Sequence, residues 1–330
     1  MSTAAPGDAV SGPPPPAPVT AGIATKDRPD ALVRCLRSLR LLGGLLAEAV
    51  VVDDGSATPV EAPVQAALAA DLSPGVRWIR NEHSRSLSAC RNQAARQART
   101  PYLLNLDDDA FVVAPEAVER AVAVLEGDPA VVAVAFAQAD ADGVPFPPHA
   151  QPAPVDYPCY VPTFTGFAFL VRRQALLEAG GFRERIGIHG EEKELCLRLL
   201  DRGWRVVYLP DALVGHLADP AGRDMRRYLH QTVRNTVLGA LYNEPFPLVL
   251  AGAGVRLRSY FPMRRNWAVA DPGGFGRIVR GLARDLPSVL RERRPVRWAT
   301  WKRWRAMTRS APEPYHGPAA VASGKPEPAA

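Results

Sequence analysis

The chain has 330 residues, of which 47% are hydrophobic, and a formal net charge of +6. This length and apolar content allow a substantial core in one large or two modest domains, which excludes a wholly disordered protein. The charge is uneven, because residues 256–309 carry 15 Lys or Arg against three acids, a local excess of +12. This pattern favours a basic C-terminal arm, suited to an anionic membrane surface or an acidic substrate, over a nucleic-acid-binding core.

The sequence carries no sign of export or membrane insertion. Residues 1–18 contain Pro13–Pro16 but no basic segment or apolar core, so we expect a disordered Pro-rich tail rather than a signal peptide. The four cysteines are scattered, without metal-ligand pairs or a disulfide framework. No uninterrupted apolar run reaches the roughly 18 to 20 residues that a membrane span needs. We therefore expect a cytoplasmic protein.

Short apolar runs alternate with helical patterns through the first part of the chain. Strands are predicted at residues 19–24, 49–52, 76–79 and 102–106, and helices are predicted to begin near Pro29, Ser86 and Pro115. This alternation is typical of a parallel sheet with right-handed crossovers and flanking helices. The sequence therefore predicts an α/β fold.

The later part of the chain changes in composition. Further strands are predicted at residues 131–136, 167–171 and 204–209, a Pro-rich loop at 143–162, and helices that end at Gly180 or begin near Gly190. The loop indicates that the sheet changes character there. We expect a basic, Trp- and Arg-rich helical extension over residues 236–310 and a disordered tail over residues 311–330.

Three tryptophans recur at every third position near the end of the extension. Trp298, Trp301 and Trp304 lie among arginines and a lysine, an arrangement that suits a helix at a membrane interface. The alternative is a basic helix that packs on the rest of the chain through its tryptophans. The first alternative predicts peripheral contact with the cytoplasmic face of a membrane.

Polar residues follow the first four predicted strands. These strands end at Thr25, Asp53, Asn81 and Asp107, and parallel strands bring their carboxyl ends to the edge where α/β folds bind ligands. A single Asp at a strand end commonly caps a helix, but Asp pairs at two strand ends favour a nucleotide and metal site. Gly-rich phosphate loops of the dinucleotide-binding and P-loop types are missing, which disfavours both of those enzyme classes.

The fourth strand ends in three consecutive carboxylates, Asp107, Asp108 and Asp109. Adjacent carboxylates repel one another, and an unpaired buried carboxylate is costly, so a cation is expected among them. Mg²⁺ or Mn²⁺ holding a substrate phosphate meets this requirement. A solvated acidic turn before the following helix is the alternative.

Two further acids, Glu191 and Glu192, open a predicted helix, and His216 lies just beyond the last predicted strand. Acids in a first turn are favoured by the helix dipole, so a purely structural role for the two glutamates is one interpretation. The other is a carboxylate that accepts a proton from a substrate hydroxyl. A lone histidine is more often structural than a ligand.

Seven motifs then occur together in one order. They are residues 23–28 (IATKDR), 51–56 (VVDDGS), 91–92 (RN), 106–109 (LDDD), 180–182 (GGF) and 190–195 (GEEKEL), followed by His216. Over residues 19–235 the chain resembles a family-2 glycosyltransferase of GT-A fold, and faintly the rhamnosyltransferase-like bacterial members. The resemblance implies a Rossmann-like, mixed and mainly parallel sheet, with a nucleotide-binding half at 19–110 and an acceptor-binding half at 111–235.

The resemblance also implies an inverting transferase that moves a sugar from a nucleotide-diphosphate sugar to an acceptor hydroxyl, using Mn²⁺ or Mg²⁺. Donor binding is carried over to Thr25, Asp27, Arg28, Asp53, Asn81, Arg91, Asp107 and Asp108. Metal binding is carried over to Asp109, His216 and Asp107, and acceptor binding to Gly166, Phe167 and Arg234. Glu192 matches the position of the general base, but the family's Glu-Asp pair is Glu191-Glu192 here, so either glutamate could take that role.

Residues 231–234 resemble the start of the Gln-x-x-Arg-Trp motif of processive synthases, but Asn235 replaces the Trp, which favours transfer of a single sugar.

Three functions are open to this sequence: a glycosyltransferase, a sugar nucleotidylyltransferase and a non-catalytic binding module. A sugar nucleotidylyltransferase would be expected to carry a Gly-rich loop after the first strand, where this chain has Thr25-Lys-Asp-Arg-Pro29. A non-catalytic nucleotide-sugar-binding module would not need both the acids of a metal site and the glutamate pair.

Overall fold

The computed structural model describes residues 18–68, 75–217 and 224–317. Its described strands form one mixed sheet. In chain order they are β1 (Val19–Thr25), β2 (Leu46–Asp53), β3 (Val76–Arg80), β4 (Tyr102–Asp107), β5 (Ala110–Val112), β6 (Val131–Ala139), β7 (Cys159–Val161), β8 (Ala168–Arg172) and β9 (Arg205–His216). Their order across the sheet is β3-β2-β1-β4-β8-β6-β9-β5, and β7 pairs with β9.

The first four strands form the parallel half of this sheet, in agreement with the alternation in the sequence. Thr25 at the end of β1 pairs in register with Asp53 at the end of β2, and Ala24 pairs with Asp107 of β4. The polar residues that follow these strands therefore meet at one edge. The direction changes at β8, which is antiparallel to both β4 and β6. The sheet is thus mixed, and the change comes after the Pro-rich loop.

Helices cover the sheet and continue beyond it. They are α1 (Pro29–Ser38), α2 (Glu61–Leu68), α3 (Leu87–Gln97), α4 (Pro115–Gly127), α5 (Arg173–Glu178), α6 (Glu191–Asp201), α7 (Met225–Asn243), α8 (Leu248–Arg258), α9 (Tyr260–Asn266), α10 (Gly274–Glu292) and α11 (Trp298–Met307). Every residue of β6 is buried, because helices cover both of its faces, and this is why its sequence is a continuous apolar run.

The C-terminal helices have an apolar core of their own. It is formed mainly by side chains of α7, α9 and α10, among them Leu229, Leu238, Tyr242, Tyr260 and Ile278. The boundary that the sequence suggested at residue 235 falls inside α7, and the one at residue 110 falls at the start of β5. None of the helices in the described part of the chain has both the length and the apolar character of a membrane-spanning segment.

The predicted C-terminal tail is wrong for the residues just after 311. The amide of Tyr315 donates to Pro158 O at 2.8 Å, and Glu313 O accepts from the amide of Tyr160 at 2.9 Å. The ring of Tyr315 packs edge-on against that of Tyr160 with 5.4 Å between centroids. This contact covers the edge of β7. The rest of the predicted tails, residues 1–17 and 318–330, lies outside the described residues.

Candidate active site

A cleft with a volume of about 760 Å³ opens at the carboxyl ends of β1 and β4. Most of the predicted site residues line it: Thr25, Arg28, Arg91, Asp107, Asp108, Asp109, Gly166, Phe167, Glu191, Glu192 and His216. The sequence placed these residues on separate segments spread over almost 200 positions. The fold brings them to one edge of the sheet, as the register of the parallel strands requires.

The three consecutive aspartates separate into two groups. Asp107 and Asp109 offer carboxylate oxygens that lie, with a ring nitrogen of His216, within 4.8 Å of one another. Asp108 is 4% exposed and accepts hydrogen bonds from Thr25 Oγ1 at 2.7 Å and from Arg28 at 2.6 Å. Asp107 is the last residue of β4, whereas Asp108 and Asp109 lie in the turn before β5, and this turn brings the first and third carboxylates together.

His216 reaches the acids because β9 is longer than predicted. The histidine is the last residue of β9, where it pairs with Ala110 of β5 just after the acid triplet. The amide of Leu217 donates to Asp109 O at 2.9 Å, which ties the end of β9 to the same turn. The ring of Phe167 stacks on the imidazole at 4.9 Å. His216 is therefore held on both sides.

A glutamine behind His216 fixes which ring nitrogen faces the acids. Gln138 uses its Nε2 to donate to Ala150 O, so its Oε1 faces His216 Nδ1 at 2.9 Å and accepts from it. The other nitrogen, Nε2, then lies 3.5 Å from Asp109 Oδ1. A neutral imidazole presents a lone pair there, which repels a carboxylate unless a proton or a metal ion lies between them.

This donor set fits a divalent cation. Two carboxylates suit Mg²⁺ and Mn²⁺ equally, whereas an imidazole nitrogen is an unusual ligand for Mg²⁺, so the histidine favours Mn²⁺. Burial alone would raise the pKa of Asp109, but the neighbouring His216 and Arg28 outweigh burial and lower the pKa to about 2. Asp109 is thus ionised at any physiological pH.

Asp108 behaves in the opposite way. Burial raises the pKa of Asp108 to about 7, although Arg28 and Thr25 favour its ionised form. Arg28 itself bridges two of the aspartates, since it also donates to Asp109 at 2.8 Å. Its guanidinium is 43% exposed and can turn toward an anionic ligand in the cleft.

Arg91 connects the aspartates at the end of β4 to the glutamate pair. The guanidinium is 2% exposed and contacts Asp107 at 2.9 Å, Glu191 at 3.1 Å and Gly166 O at 2.7 Å. Burial, followed by the charge of the neighbouring Glu192, raises the pKa of Glu191 despite Arg91. The physical reason is that Glu191 is the most buried carboxyl group near Arg91 and lies beside a second glutamate, so its protonated form is favoured.

The geometry distinguishes the two glutamates. Glu191 is 1% exposed beside Arg91, whereas Glu192 is only partly buried. The carboxylate of Glu192 lies directly over Gly166, where a Cβ would come within 2.2 Å of its Oε1. The missing side chain at position 166 leaves the space that this carboxylate occupies. Glu192 is the better placed of the two to meet a substrate.

Two predicted nucleotide-binding residues, Asp53 and Asn81, do not line the cleft. Asp53 ends β2 and uses its carboxylate inside its own turn, where it accepts from the amide of Ser56 at 2.9 Å and from Arg80 at 2.6 Å. Asn81 donates to Asp54 at 3.1 Å and exchanges hydrogen bonds with a glutamine of α3. Both side chains shape the loops around the cleft, because neighbouring groups of the protein already take up their polar atoms.

Asp27 and Arg234 also lie elsewhere. Asp27 has a positive φ of 55° and accepts from the amide of Ala57, and it borders a separate recess of about 260 Å³. Arg234 donates to Asp285 at 2.6 Å and to Arg185 O at 3.1 Å, which joins α7 to α10. Arg234 was predicted to contact the acceptor, but it does not line the cleft.

The sequence missed several lining residues, of which Asp54, His189 and Tyr228 are the most informative. Asp54 is the second member of the Asp pair after β2, so the pair signalled the site but not which member faces it. His189 precedes the Gly190-Glu191 motif and packs edge-on against Tyr228 at 4.4 Å. Tyr228 lies in α7, where nothing in the apolar pattern distinguishes it from a core position.

Comparison with known proteins decides the family. Residues 20–182 match the model of "Glycosyl transferase family 2". This domain belongs to glycosyl transferase family 2. This match covers the five motifs between residues 23 and 182 and confirms the family resemblance there.

Two curated relatives come from Mycobacterium tuberculosis (strain ATCC 25618 / H37Rv). A pre-mycofactocin glycosyltransferase is 29% identical over 221 residues, which are 60% of this chain and 42% of that protein. N-acetylglucosaminyl-diphospho-decaprenol L-rhamnosyltransferase is 33% identical over 109 residues, 31% of this chain and 35% of that protein. The chain thus spans less than half the length of these family 2 relatives.

Solved structures agree on the fold. A mannosyltransferase from Pyrobaculum calidifontis, in complex with GDP-Man and Mn²⁺, aligns with a TM-score of 0.55 at 17% identity over 88% of this chain and 84% of that one. GalNAc-T7 with UDP, GalNAc and Mn²⁺ aligns with a TM-score of 0.57 at 18% identity over 84% and 58%. At this identity the likeness establishes the architecture, and the predicted GT-A fold is confirmed.

Proposed function

We propose that this family 2 domain transfers a single sugar from a nucleotide-diphosphate sugar to an acceptor hydroxyl, with inversion at the anomeric carbon and with Mn²⁺ or Mg²⁺ bound. The observation that carries the proposal is that the Asp107, Asp109 and His216 cluster shares one cleft with Glu192. Arg91 contacts acids on both sides and holds them in a fixed relation. The solved GT-A neighbours bind GDP-Man or UDP together with Mn²⁺, which supports the same donor class here.

The donor side of the cleft is built to receive a diphosphate. Asp107, Asp109 and His216 would hold the cation, which supplies the positive charge that stabilises the departing nucleoside diphosphate. Arg28 reaches over the acids with a partly exposed guanidinium that can contact a phosphate directly. Lys26 adds a second positive charge to the same wall.

The acceptor side supplies the proton acceptor. As the acceptor oxygen attacks the anomeric carbon, its bond to that carbon forms and the bond from the carbon to the diphosphate oxygen breaks. The acceptor proton passes to the carboxylate of Glu192, and the electron pair of the broken bond leaves with the nucleoside diphosphate. A single attack from the opposite side inverts the centre and requires no second carboxylate as nucleophile. Ile188, His189 and Tyr228 form a wall against which the acceptor can lie.

The other functions fit less well. A nucleotidylyltransferase is disfavoured because β1 ends at Thr25 and is followed by Lys26, both of which line the cleft, and not by a Gly-rich loop. A binding module does not require Glu192 over Gly166, a placement that serves chemistry on an acceptor. We also infer a reducing, cytoplasmic setting, with contact to the cytoplasmic face of a membrane through the C-terminal helices. All four cysteines are free and buried, which supports the reducing environment.

The donor and the metal can be tested together. We expect a panel of nucleotide sugars to contain one that raises the melting temperature of the protein only when Mn²⁺ is present, because a ligand that binds the folded state stabilises it. Asp109→Asn should lose this shift and the transfer of sugar. Asp142→Asn, at an exposed position outside the cleft, is the matched control and should keep both. Undiminished transfer by Asp109→Asn would contradict the proposal.

A further inference from the structure

The outward face of α8 and α9 is unusually apolar. Phe246, Leu250, Val255 and Phe261 are 70%, 67%, 70% and 53% exposed. We define the α8–α9 face as these four side chains together with Arg258, Arg264 and Arg265, which are exposed beside them. Single exposed apolar residues are common on proteins, but three large ones on two consecutive helices, with Phe246 just before them, mark a surface that meets something else.

The pattern within α8 shows that this exposure is built into the helix. Its exposed positions are Leu250, Ala251, Gly254, Val255 and Arg258, so no polar side chain faces outward before the last residue. A surface helix of a globular protein normally places charged residues on its outer side. In α8, by contrast, the outward side is apolar up to Arg258.

The charges around the face are all of one sign. Residues 245–270 contain four arginines and no acid. Arg256 pairs with Glu244, but no carboxylate in the described part of the chain forms an ion pair with Arg258, Arg264 or Arg265. Arg264 and Arg265 also line a recess of about 410 Å³, together with Phe261 and residues 268–270. A recess with two guanidinium groups and one aromatic ring suits a phosphate-bearing headgroup.

We propose that the α8–α9 face docks onto the surface of an anionic lipid bilayer. Apolar side chains enter the boundary between headgroups and acyl chains, while arginines beside them pair with the lipid phosphates. Charge complementarity selects this occupant. A second copy of the chain seated face to face would bring arginines against arginines, with no acid on the face to offset them.

This face replaces the tryptophan helix as the point of membrane contact. Trp301 and Trp304 are partly buried and line a small recess together with Leu197 of α6 and Ala240 of α7, and α11 packs against α6. Only Trp298 of the three is largely exposed, at 44%. The alternative of a packed basic helix therefore describes α11, and the interfacial character belongs to the two helices before α10.

The α8–α9 face lies next to the cleft. Trp267, the residue after α9, packs against Tyr228 at 5.3 Å, and Tyr228 lines the acceptor side. Arg226 of α7 donates to Ala270 O beside the basic recess. A bilayer on this face would border the acceptor entrance, which suits an acceptor anchored in the membrane. This last step rests on the proposed function, whereas the docking itself does not.

Vesicle flotation of the full chain tests the docking without any sugar donor. The protein should float with vesicles of phosphatidylcholine and phosphatidylglycerol, much less with phosphatidylcholine alone, and less as salt is raised. The double variant Leu250→Glu/Val255→Glu should lower binding to the mixed vesicles by about tenfold or more. Arg258→Gln/Arg265→Gln should lower it by a similar factor and weaken its dependence on salt.

Matched variants away from the face control for general changes. Leu41→Glu/Val144→Glu alters two apolar side chains that are 50% and 56% exposed, and Arg96→Gln/Arg99→Gln alters two exposed arginines of the sheet domain. Both should float like the parent. Melting curves check that every variant folds. We expect each variant to fold because all altered side chains are exposed.

Three results would overturn the proposal. The parent could fail to float with the anionic vesicles, or the α8–α9 variants could float as the parent does. Light scattering could instead show a dimer that the Leu250→Glu/Val255→Glu variant dissolves, which would assign the face to self-association. If the parent floats with the anionic vesicles but transfers no sugar, that result counts against the proposed function and not against docking.

Discussion

Replacing Glu192 with Gln should abolish sugar transfer and leave donor binding intact. The change keeps the shape of a side chain that lies over Gly166 and removes only its ability to accept a proton. A general base contributes roughly 10² to 10⁴ in rate, which corresponds to about 3–5 kcal/mol of transition-state stabilisation. The fall should be seen in kcat, because the donor contacts of Asp109 and Arg28 are unchanged.

Glu191→Gln is the matched control on the adjacent residue. Because burial and the charge of Glu192 raise the pKa of Glu191, its protonated form resembles a glutamine at neutral pH. The amide oxygen can still accept from Arg91, which keeps Asp107 and Gly166 O as its other partners. We expect Glu191→Gln to keep transfer within about tenfold of the parent, since it removes no proton acceptor from the cleft.

The assay is transfer measured under saturating donor and acceptor, beside donor binding measured by thermal shift with Mn²⁺. A Glu192→Gln variant that transfers sugar within tenfold of the parent would refute the assignment of the base. Equal losses in Glu191→Gln and Glu192→Gln, with both proteins folded, would show that the two carboxyl groups act as one unit and not in separate roles.

Three further predictions concern neighbouring parts of the structure. Gly166→Ala should lower kcat by about tenfold or more with little change in donor binding, because its Cβ would displace the Glu192 carboxylate from the position where it lies. Gln138→Leu should weaken Mn²⁺ binding by about tenfold or more in calorimetry, since His216 Nδ1 loses its acceptor. Glu194→Gln should destabilise the fold by about 3 kcal/mol in urea at neutral pH, because two partly buried arginines lose their shared carboxylate.

The last of these has a definite pH dependence. Burial alone would raise the pKa of Glu194, but Arg198 and Arg183 outweigh burial and lower it. Its folded pKa lies below its unfolded value, so the stabilisation is present above the unfolded pKa of about 4.3 and is lost as pH falls below it. The parent and the variant should therefore converge in stability in acid. A constant difference between them down to pH 3 would contradict this reasoning, as would unchanged Mn²⁺ affinity in Gln138→Leu or unchanged kcat in Gly166→Ala.

The parallel half of the fold was predictable because its strands are continuous apolar runs between clear breaks. The last strand of the sheet, β9, was less predictable. Pro210 and Asp211 signalled the end of a strand, yet β9 continues through them to His216. The pairing with β6 shifts there, from Phe136 opposite Leu209 to Ala137 opposite Leu213, so the extra residues bulge out of the ladder. A bulge of this kind depends on the partner strand, which the local sequence does not specify.

The same limit explains which of the predicted acids line the cleft and which do not. The apolar run before Asp107 was enough to place this residue at the end of a parallel strand and so at the cleft, whereas Asp109 reaches the cleft through the turn between β4 and β5. Asp53 is the last residue of its strand, and its direction depends on the turn that follows. There the amide of Ser56 takes up the carboxylate, and Asp54 faces the cleft in its place. Backbone amides of a turn compete with the cleft for short acidic side chains. The sequence gives no distances, so it cannot show which of Asp53 and Asp54 the turn takes up.

The charge in the cleft argues for a cation on grounds separate from any single contact. Six carboxyl groups line it, Asp54 among them, against Lys26, Arg28 and Arg91. The raised pKa values of Asp108 and Glu191 reduce this excess of negative charge, and they do not reverse it. A nucleoside diphosphate is itself an anion, so such a lining repels it unless a cation lies between the acids and the phosphates. An acidic cleft that binds an anionic donor therefore requires the ion that Asp107, Asp109 and His216 are placed to hold.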